Sequence, residues 1–155
     1  MIIAKHSYMN KLHQSGFSLV ELVIIIVVLG ILATVAVPMF GDMINSSKIS
    51  ATKSELESLK RAIVGNPRVV AGGELVDRGY QGDVGTAPAQ LADLVTKPGS
   101  VAAYDKITRI GWNGPYIDND NGNYLKDAWE NNYQYDQAGR TIMSVNGSDT
   151  ITVSF

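Results

Sequence analysis

The chain has 155 residues, with 13 Lys and Arg against 15 Asp and Glu and a formal net charge of −2. This near balance gives no electrostatic basis for binding nucleic acid, and an apolar content of 45% is too high for a disordered chain. The absence of cysteine excludes disulfides, zinc–thiolate sites and thiol nucleophiles. Both histidines, His6 and His13, lie at the start of the chain, which argues against an imidazole-based catalytic site.

An uncharged apolar run occupies residues 22–40, and it extends back to Phe17 with Ser18 and Glu21 as interruptions. As a helix, residues 17–40 would measure about 36 Å. A bilayer's hydrocarbon core is about 30 Å thick, so the segment is long enough to cross a membrane.

Two other interpretations of this run are less favoured. A cleaved secretory signal could place its small-residue site at residues 33–36, but the apolar run is too long and continues beyond it. A buried core helix would require a larger domain than the remaining residues can form. Lys5 and Lys11 precede the run with no acid before Glu21, so the positive-inside rule predicts a cytoplasmic N-terminus and an exported remainder.

Glu21 is the unusual residue of the predicted span. A carboxylate costs about 2.5–3.5 kcal/mol at the centre of a membrane helix and less near its end. Two interpretations stay open on this residue alone: Glu21 has a functional partner, or its side chain snorkels to the headgroups.

Residues 15–21, SGFSLVE, resemble the class III signal of type IV prepilins and of type II secretion pseudopilins. The resemblance implies that a prepilin peptidase removes a leader, residues 1–16, by cleaving between Gly16 and Phe17. It also implies N-methylation of Phe17 and pairing of Glu21 with the Phe17 ammonium of a neighbouring subunit during filament assembly.

Gly30, Pro38 and Gly41 interrupt the helical pattern beyond this motif. A proline inside a helix removes one hydrogen bond and costs about 3 kcal/mol. The general interpretation is a kink near the membrane surface. The resemblance implies more, namely that the stretch from Gly30 to Pro38 loses helical order in the assembled filament.

Helical periodicity resumes near Ser46 and ends at the breakers Gly65, Asn66 and Pro67. Its apolar stripe, which is too short for a coiled-coil seam and is predicted to pack on a sheet, comprises Ile49, Thr52, Leu56, Leu59 and Ile63. The chain is therefore divided into a leader (1–16), a transmembrane and filament-core helix (17–40), an amphipathic continuation (41–64) and a periplasmic head (65–155).

The head is predicted to be α+β. A loop spans residues 65–86, a short helix spans Pro88–Val95, and three strands at 132–136, 141–145 and 150–155 form an antiparallel meander. Asp136–Arg140 and Asn146–Asp149 are the predicted hairpin connections. The resulting fold class is α+β and type IV pilin-like: a long N-terminal helix packed on a small antiparallel sheet.

Three head segments resemble the major pseudopilin of type II secretion: LADLVTKP (91–98), GWNGPYI (111–117) and KDAWENNYQYD (126–136). The third departs from the family pattern, because Ala128 replaces a proline and Glu130-Asn131-Asn132 replaces Gly-Asn-Pro. The missing cysteines agree with this family, since many major type IV pilins close a C-terminal loop with a disulfide.

Calcium has two candidate sites in the sequence. Asp118 and Asp120 lie in the oxygen-rich run DNDNGN, but the spacing fails the EF-hand template and a polar turn explains the composition equally well. The resemblance implies a calcium loop near the C-terminus instead, where Ser144, Asn146 and Asp149 are the matching residues. No ligand set is chosen between them.

The predicted function is a structural one: a pseudopilin that assembles into a periplasmic filament and drives export of folded proteins across the outer membrane. A type IV pilin for adhesion or twitching is the alternative, and a membrane-anchored enzyme is disfavoured because no histidine follows His13. The resemblance implies an inner-membrane, single-pass location with the head in the periplasm. Its implied partners are further copies of the chain, minor pseudopilins, the peptidase, an assembly platform and an assembly ATPase.

Overall fold

The structure is a computed structural model that describes residues 16–119, 122–147 and 149–155. The chain divides into two compact units, with the boundary after Asp42. The predicted leader, apart from Gly16, and the calcium candidate Asp120 lie outside the described residues.

A single helix of 46 residues, α1, spans Leu19–Val64. It begins two residues after the predicted start at Phe17 and ends where the breakers at residues 65–67 predict. α1 runs through Gly30, Pro38 and Gly41 as one helix. A kink near the membrane surface stays a prediction. Membrane helices tolerate both residue types, since local adjustment satisfies the backbone groups that proline frees.

The first unit presents apolar side chains on every side of α1. From Leu19 to Leu32 the large apolar residues are 42–80% exposed. The most apolar 18-residue stretch has a mean hydropathy of 3.0 and no buried residue. A helix that is apolar all round requires either a protein core or a membrane around it, and this one is long and apolar enough to cross a bilayer.

The second unit contains the hydrophobic core of the head. Thr52, Leu56, Leu59 and Ile63 of α1 are buried, as the stripe predicts. Leu56, Leu59 and Ile63 belong to a hydrophobic cluster whose other buried members are Ala62, Tyr80, Leu91, Leu94, Tyr133 and Ile142. The packing of the amphipathic part of α1 against the head is therefore confirmed.

The end of α1 crosses the start of α2 (Gly79–Val84) at two glycines. Gly65 and Gly79 both have positive φ, 78° and 59°. A Cβ on Gly65 would collide with the backbone of Asp77, and a Cβ on Gly79 would collide with the Gly65 nitrogen. Only glycine fits this crossing without strain.

The long loop predicted over residues 65–86 contains regular elements that the sequence analysis did not predict. The segment holds α2 and a hairpin of two short strands, β1 (Val70–Ala71) and β2 (Glu74–Leu75). Gly72 and Gly73 connect the strands with φ values of 62° and 82°. Two positive φ angles in a two-residue loop are the requirement of a type I′ turn.

The helix predicted at Pro88–Val95 is one turn of 3₁₀ helix at Leu91–Leu94. Leu91 and Leu94 are buried in the core, as predicted, and Val95 is half-buried. The buried carboxylate of Asp93 accepts the backbone N–H groups of Ala89 at 3.0 Å and Gln90 at 3.2 Å, which fixes the start of the turn. A second 3₁₀ turn spans Asn123–Leu125.

The predicted antiparallel meander is confirmed as β3 (Gln134–Asp136), β4 (Thr141–Asn146) and β5 (Asp149–Ser154). Ile142 pairs with Tyr135 on one side and with Val153 on the other. The second connection is shorter than predicted, because Asn146 and Asp149 belong to the strands and pair with each other. Gly147, with φ 62°, permits this tight turn.

Asp127 is a buried carboxylate, 4% exposed, that ties the 126–132 turn to β4. It accepts the Ser144 hydroxyl at 2.6 Å and the amides of Trp129 and Asn131 at 2.9 Å each. Burial alone would raise the pKa of Asp127. The hydrogen bonds from Ser144, Asn131 and Trp129 outweigh burial and hold that pKa below its ordinary value of 3.8.

Two further hydrogen bonds tie the same turn to α1. The Ala128 amide donates to the buried Thr52 hydroxyl at 3.2 Å. The Tyr133 hydroxyl donates to the Glu55 carboxylate at 2.6 Å. Burial, followed by the interaction with Glu55, raises the pKa of Tyr133 well above its ordinary value of 10. This phenol therefore stays protonated and remains a donor.

Deleting residues 1–40 is expected to leave a folded, monomeric and soluble head. The compact second unit begins at Met43, so the deletion removes the apolar span without touching the core. Sedimentation and circular dichroism of residues 41–155 would check this. A folded spectrum together with aggregation would instead show that the exposed face of α1 packs between subunits.

Replacing Asp127 with Asn is expected to destabilise this fragment by about 1–3 kcal/mol at pH 7, since a buried charge-assisted network loses its charge. Because the folded pKa lies below the unfolded one, the wild-type contribution is present above about pH 4 and is lost as the pH falls through the folded pKa. Urea midpoints at pH 7 and pH 3 should therefore differ less for Asp127→Asn than for wild type. Glu57→Gln, an exposed change on α1, is the matched control, and an equal pH response in all three proteins would contradict this role.

Candidate functional site

The N-terminal motif forms a reciprocal cap at the start of α1. The Ser18 amide donates to the Glu21 carboxylate at 2.9 Å, and the Glu21 amide donates to the Ser18 hydroxyl at 3.2 Å. This arrangement is a capping box, which satisfies two backbone donors that have no partner within the helix. The sequence contains this spacing, S-x-x-E, but the two interpretations of Glu21 from the sequence, an intersubunit partner and snorkelling to the headgroups, did not include a helix cap.

The cap gives Glu21 a position as well as a local partner. Its carboxylate is held at the helix N-terminus, where the partial positive charge of the helix dipole favours an anion. Phe17 precedes the helix and is 83% exposed. The predicted cleavage point, Gly16–Phe17, therefore lies outside α1 and directly before the cap. Cleavage there and methylation of Phe17 stay predictions.

Gly30 and Pro38, the predicted melting segment, lie within helical backbone in the single chain. A Cβ on Gly30 would meet no atom of another described segment within 4 Å, so no close contact among the described residues requires glycine here. Loss of helical order between Gly30 and Pro38 concerns the assembled filament and stays a prediction.

The structure brings together two residues of the C-terminal calcium candidate. Asn146 and Asp149 are paired across the β4–β5 turn. Ser144 lies two residues earlier and is buried, and its hydroxyl donates to Asp127. A calcium ion at this hydroxyl would have to compete with that hydrogen bond.

The other calcium candidate contributes one described carboxylate. Asp118 is exposed, and the neighbouring Asn119 side chain accepts the Gly122 amide at 3.0 Å, which is a turn contact. Within residues 16–119, 122–147 and 149–155, no group of three His, Cys, Asp or Glu side chains is arranged to hold a metal. Calcium binding by either set stays a prediction.

The three head segments that resemble the pseudopilin pattern have structural roles. The Trp112 indole N–H donates to the Asp93 carbonyl at 2.9 Å, and the Tyr116 amide donates to the Leu94 carbonyl at 2.8 Å. These bonds join the 91–98 segment to the 111–117 segment. The third segment, 126–136, holds the Asp127 turn. Sequence reasoning missed Asp127, because its partner Ser144, and the Thr52 hydroxyl that binds the adjacent Ala128 amide, are distant in sequence.

Two known families match the chain, one near its N-terminus and one over most of its head. The family described as "Prokaryotic N-terminal methylation motif" matches residues 11–37. The family described as "Type II secretion system (T2SS), protein G" matches residues 75–150. No solved structure matches the chain significantly.

Individual relatives come from two groups of proteins. The type II secretion system core protein G of Xanthomonas campestris pv. campestris is 29% identical over 126 residues, covering 81% of this chain and 71% of that protein. A fimbrial protein of Pseudomonas aeruginosa is 32% identical over 84 residues, 52% of this chain and 53% of that protein. The type IV major alpha-pilin of Moraxella bovis is 42% identical over 50 residues, 32% of this chain and 31% of that protein. The chain thus spans about half or less of the two pilins that it matches.

The secretion relative covers most of this chain, whereas the pilin matches cover half or a third of it. These families are structural pseudopilins and pilins and not enzymes, and the apolar span of α1 makes the protein membrane-anchored. With the methylation motif at its N-terminus and the protein G match over its head, the chain is a type IV prepilin-like protein of the type II secretion system protein G family.

Proposed function

We propose that this protein is the structural subunit of a type II secretion pseudopilus. Its α1 helices form the core of a periplasmic filament, and growth of that filament drives folded proteins across the outer membrane. The observation that carries the proposal is an α1 segment that is apolar on all sides, in the same chain as a head with its own core. Such a segment requires a bilayer before assembly and neighbouring copies of itself afterwards.

Glu21 fixes the register between neighbouring α1 helices, which apolar packing alone does not specify. Apolar helices slide past one another at little cost, whereas a carboxylate inside a bundle requires a defined partner. Cleavage before Phe17 creates an ammonium group four residues from Glu21. Pairing of that ammonium with the Glu21 carboxylate of a neighbouring copy fixes the axial offset between subunits.

The capping box explains how Glu21 is accommodated before assembly. Ser18 satisfies one carboxylate oxygen within the chain. The carboxylate has capacity for further donors, because each of its two oxygens has two lone-pair sites. Assembly therefore adds an ammonium partner without breaking the cap.

The pilin function is the second candidate, and the fimbrial relatives are the observation in its favour. The membrane span and the methylation motif serve either kind of filament equally. The protein G match over residues 75–150 lies in the head, where the two kinds of filament differ, and it favours secretion.

The proposed partners supply the energy for assembly and the processing of the leader. The sequence contains no G-x-x-x-x-G-K-[ST] loop, so the energy for assembly comes from a separate ATPase at an inner-membrane platform. A prepilin peptidase processes the leader, and minor pseudopilins join the copies of this chain. Lys5 and Lys11 keep the leader cytoplasmic, which places the head in the periplasm after a single pass through the inner membrane.

Mature protein isolated from membranes is expected to begin at Phe17 with a methylated amine. The basis is the position of the Gly16–Phe17 bond, which lies just before the helix cap. Mass spectrometry of the N-terminal peptide checks this. An N-terminus within residues 33–36 would show an ordinary secretory signal instead.

Replacing Glu21 with Gln is expected to abolish filament assembly while leaving cleavage, membrane insertion and head stability unchanged. Gln keeps the capping box, since either Glu or Gln serves at this position. The change therefore removes only the charge, and it leaves an ammonium unpaired in the bundle at a cost of about 3–5 kcal/mol. Filament yield and secretion are the readouts.

Ser18→Ala is the matched control for this experiment. It removes the hydroxyl that caps the Glu21 amide and retains the carboxylate, so assembly is expected to persist. Normal filaments and secretion from Glu21→Gln would sink the pairing role and leave Glu21 as a cap at the membrane face.

A further inference from the structure

A rigid loop on the head, residues 105–110, presents a large apolar side chain to solvent. Ile107 is 93% exposed, and Lys106 beside it is exposed as well. We call residues 105–110 the tip loop. Any contact that removes so exposed an isoleucine from water lowers the free energy.

Hydrogen bonds hold the tip loop in one conformation. The Asp105 amide donates to the Ile110 carbonyl at 2.9 Å, and the Arg109 amide donates to the Asp105 carbonyl at 2.7 Å. The Asp105 carboxylate also accepts the Ile107 amide at 2.7 Å. Little conformational entropy is therefore left to lose when Ile107 is bound.

The tip loop is also fastened to the β1–β2 hairpin. The Arg109 guanidinium pairs with the Glu74 carboxylate and donates to the Leu75 carbonyl at 3.2 Å. Leu75 and Ile110 are exposed too, at 39% and 61%. The tip loop and the strand bonded to it thus expose three apolar side chains, and exposed apolar surface can mark an interaction site.

A groove elsewhere on the head has complementary properties. It has a volume of about 540 Å³ and lies between α1 and the 115–124 segment. Its apolar lining includes Ala62, Ile117 and Tyr124. This space is ample for an isoleucine side chain together with the stem of a lysine.

The charge of the groove selects a basic occupant. Glu55, Asp77 and Asp118 line it, against a single guanidinium from Arg61. The three ion pairs among the described residues involve none of these four side chains, and they do not involve Lys106. A lysine next to an apolar residue therefore matches both the charge and the lining of the groove.

We propose that Lys106 and Ile107 of one copy dock in this groove of the next copy, with Ile107 against the apolar lining and Lys106 beside the carboxylates. The proposal rests on the filament function given above. Because the tip loop and the groove share no residue, one copy can give its tip to one neighbour while it receives the tip of another. A filament requires this open arrangement and not a reciprocal pair of two copies. Contacts of this heterologous kind build open helical assemblies.

Disulfide cross-linking tests the contact directly, because the chain contains no cysteine of its own. Full-length Ile107→Cys and Ser58→Cys, each with a different tag, are produced together under conditions in which filaments form. Ser58 lines the groove and is exposed, so neither change disturbs the core. We expect oxidation to give a dimer carrying one tag of each kind. The double variant is expected to give a ladder of multimers.

Thr152→Cys, exposed on β5 and outside the groove, replaces Ser58→Cys in the control. Filaments that yield no Ile107–Ser58 cross-link, or as much cross-link with Thr152→Cys, overturn the docking and leave the secretion function intact. Dimers without a ladder from the double variant overturn the open arrangement. Failure of the unaltered chain to form filaments counts against the proposed function itself.

Charge reversal provides a second, independent measurement. Lys106→Glu is expected to lower filament yield about tenfold, because like charges then meet in the groove. Adding Asp118→Lys to that variant is expected to restore the yield. The head should melt at the same temperature in all of these variants, since both side chains are exposed. Unchanged filament yield from Lys106→Glu overturns the charge pairing.

Discussion

Burial of one stripe of α1 is the interaction on which the head depends. Leu56, Leu59 and Ile63 are 0–1% exposed and share one core cluster with residues of α2, the Leu91–Leu94 turn and the β3–β5 sheet. Short strands such as these are stabilised when an apolar face packs against a helix. Thr52 in the stripe and Glu55 beside it form hydrogen bonds with Ala128 and Tyr133, so the same helix supplies both the core and its polar contacts.

The N-terminal end of α1 is under a different constraint, because the Glu21 carboxylate lies at the start of an apolar segment and needs hydrogen-bond partners. Glu21 satisfies it through Ser18 within the chain. The signature of this cap is visible in the sequence, since Ser and Glu three residues apart precede an apolar run. A partner in another copy is not visible in one chain. The single-chain structure thus explains how Glu21 is tolerated in the membrane, and the proposed pairing explains what assembly gains.

Local patterns predicted the elements that are long or regular, namely α1 and the β3–β5 meander, because helical spacing and alternation repeat several times in each. The β1–β2 hairpin was not predicted, because strands of two residues are too short to show alternation. Gly72 and Gly73 nevertheless mark its turn. The structural role of Asp127 was not predicted either, for another reason. Its burial depends on Ser144 and on the approach of α1, and neither is encoded by residues near it in the sequence.

Four aspartates of the head serve to build its loops. Asp93, Asp105, Asp127 and Asp136 each accept two backbone amides with one carboxylate. With so little regular sheet, many backbone N–H groups have no strand or helix partner, and aspartate side chains satisfy them. These four carboxylates are thereby committed to the fold. The charge left for recognition lies in the groove, where the carboxylates of Asp77 and Asp118 accept no hydrogen bond from the described residues, and there it is available to a lysine from another copy.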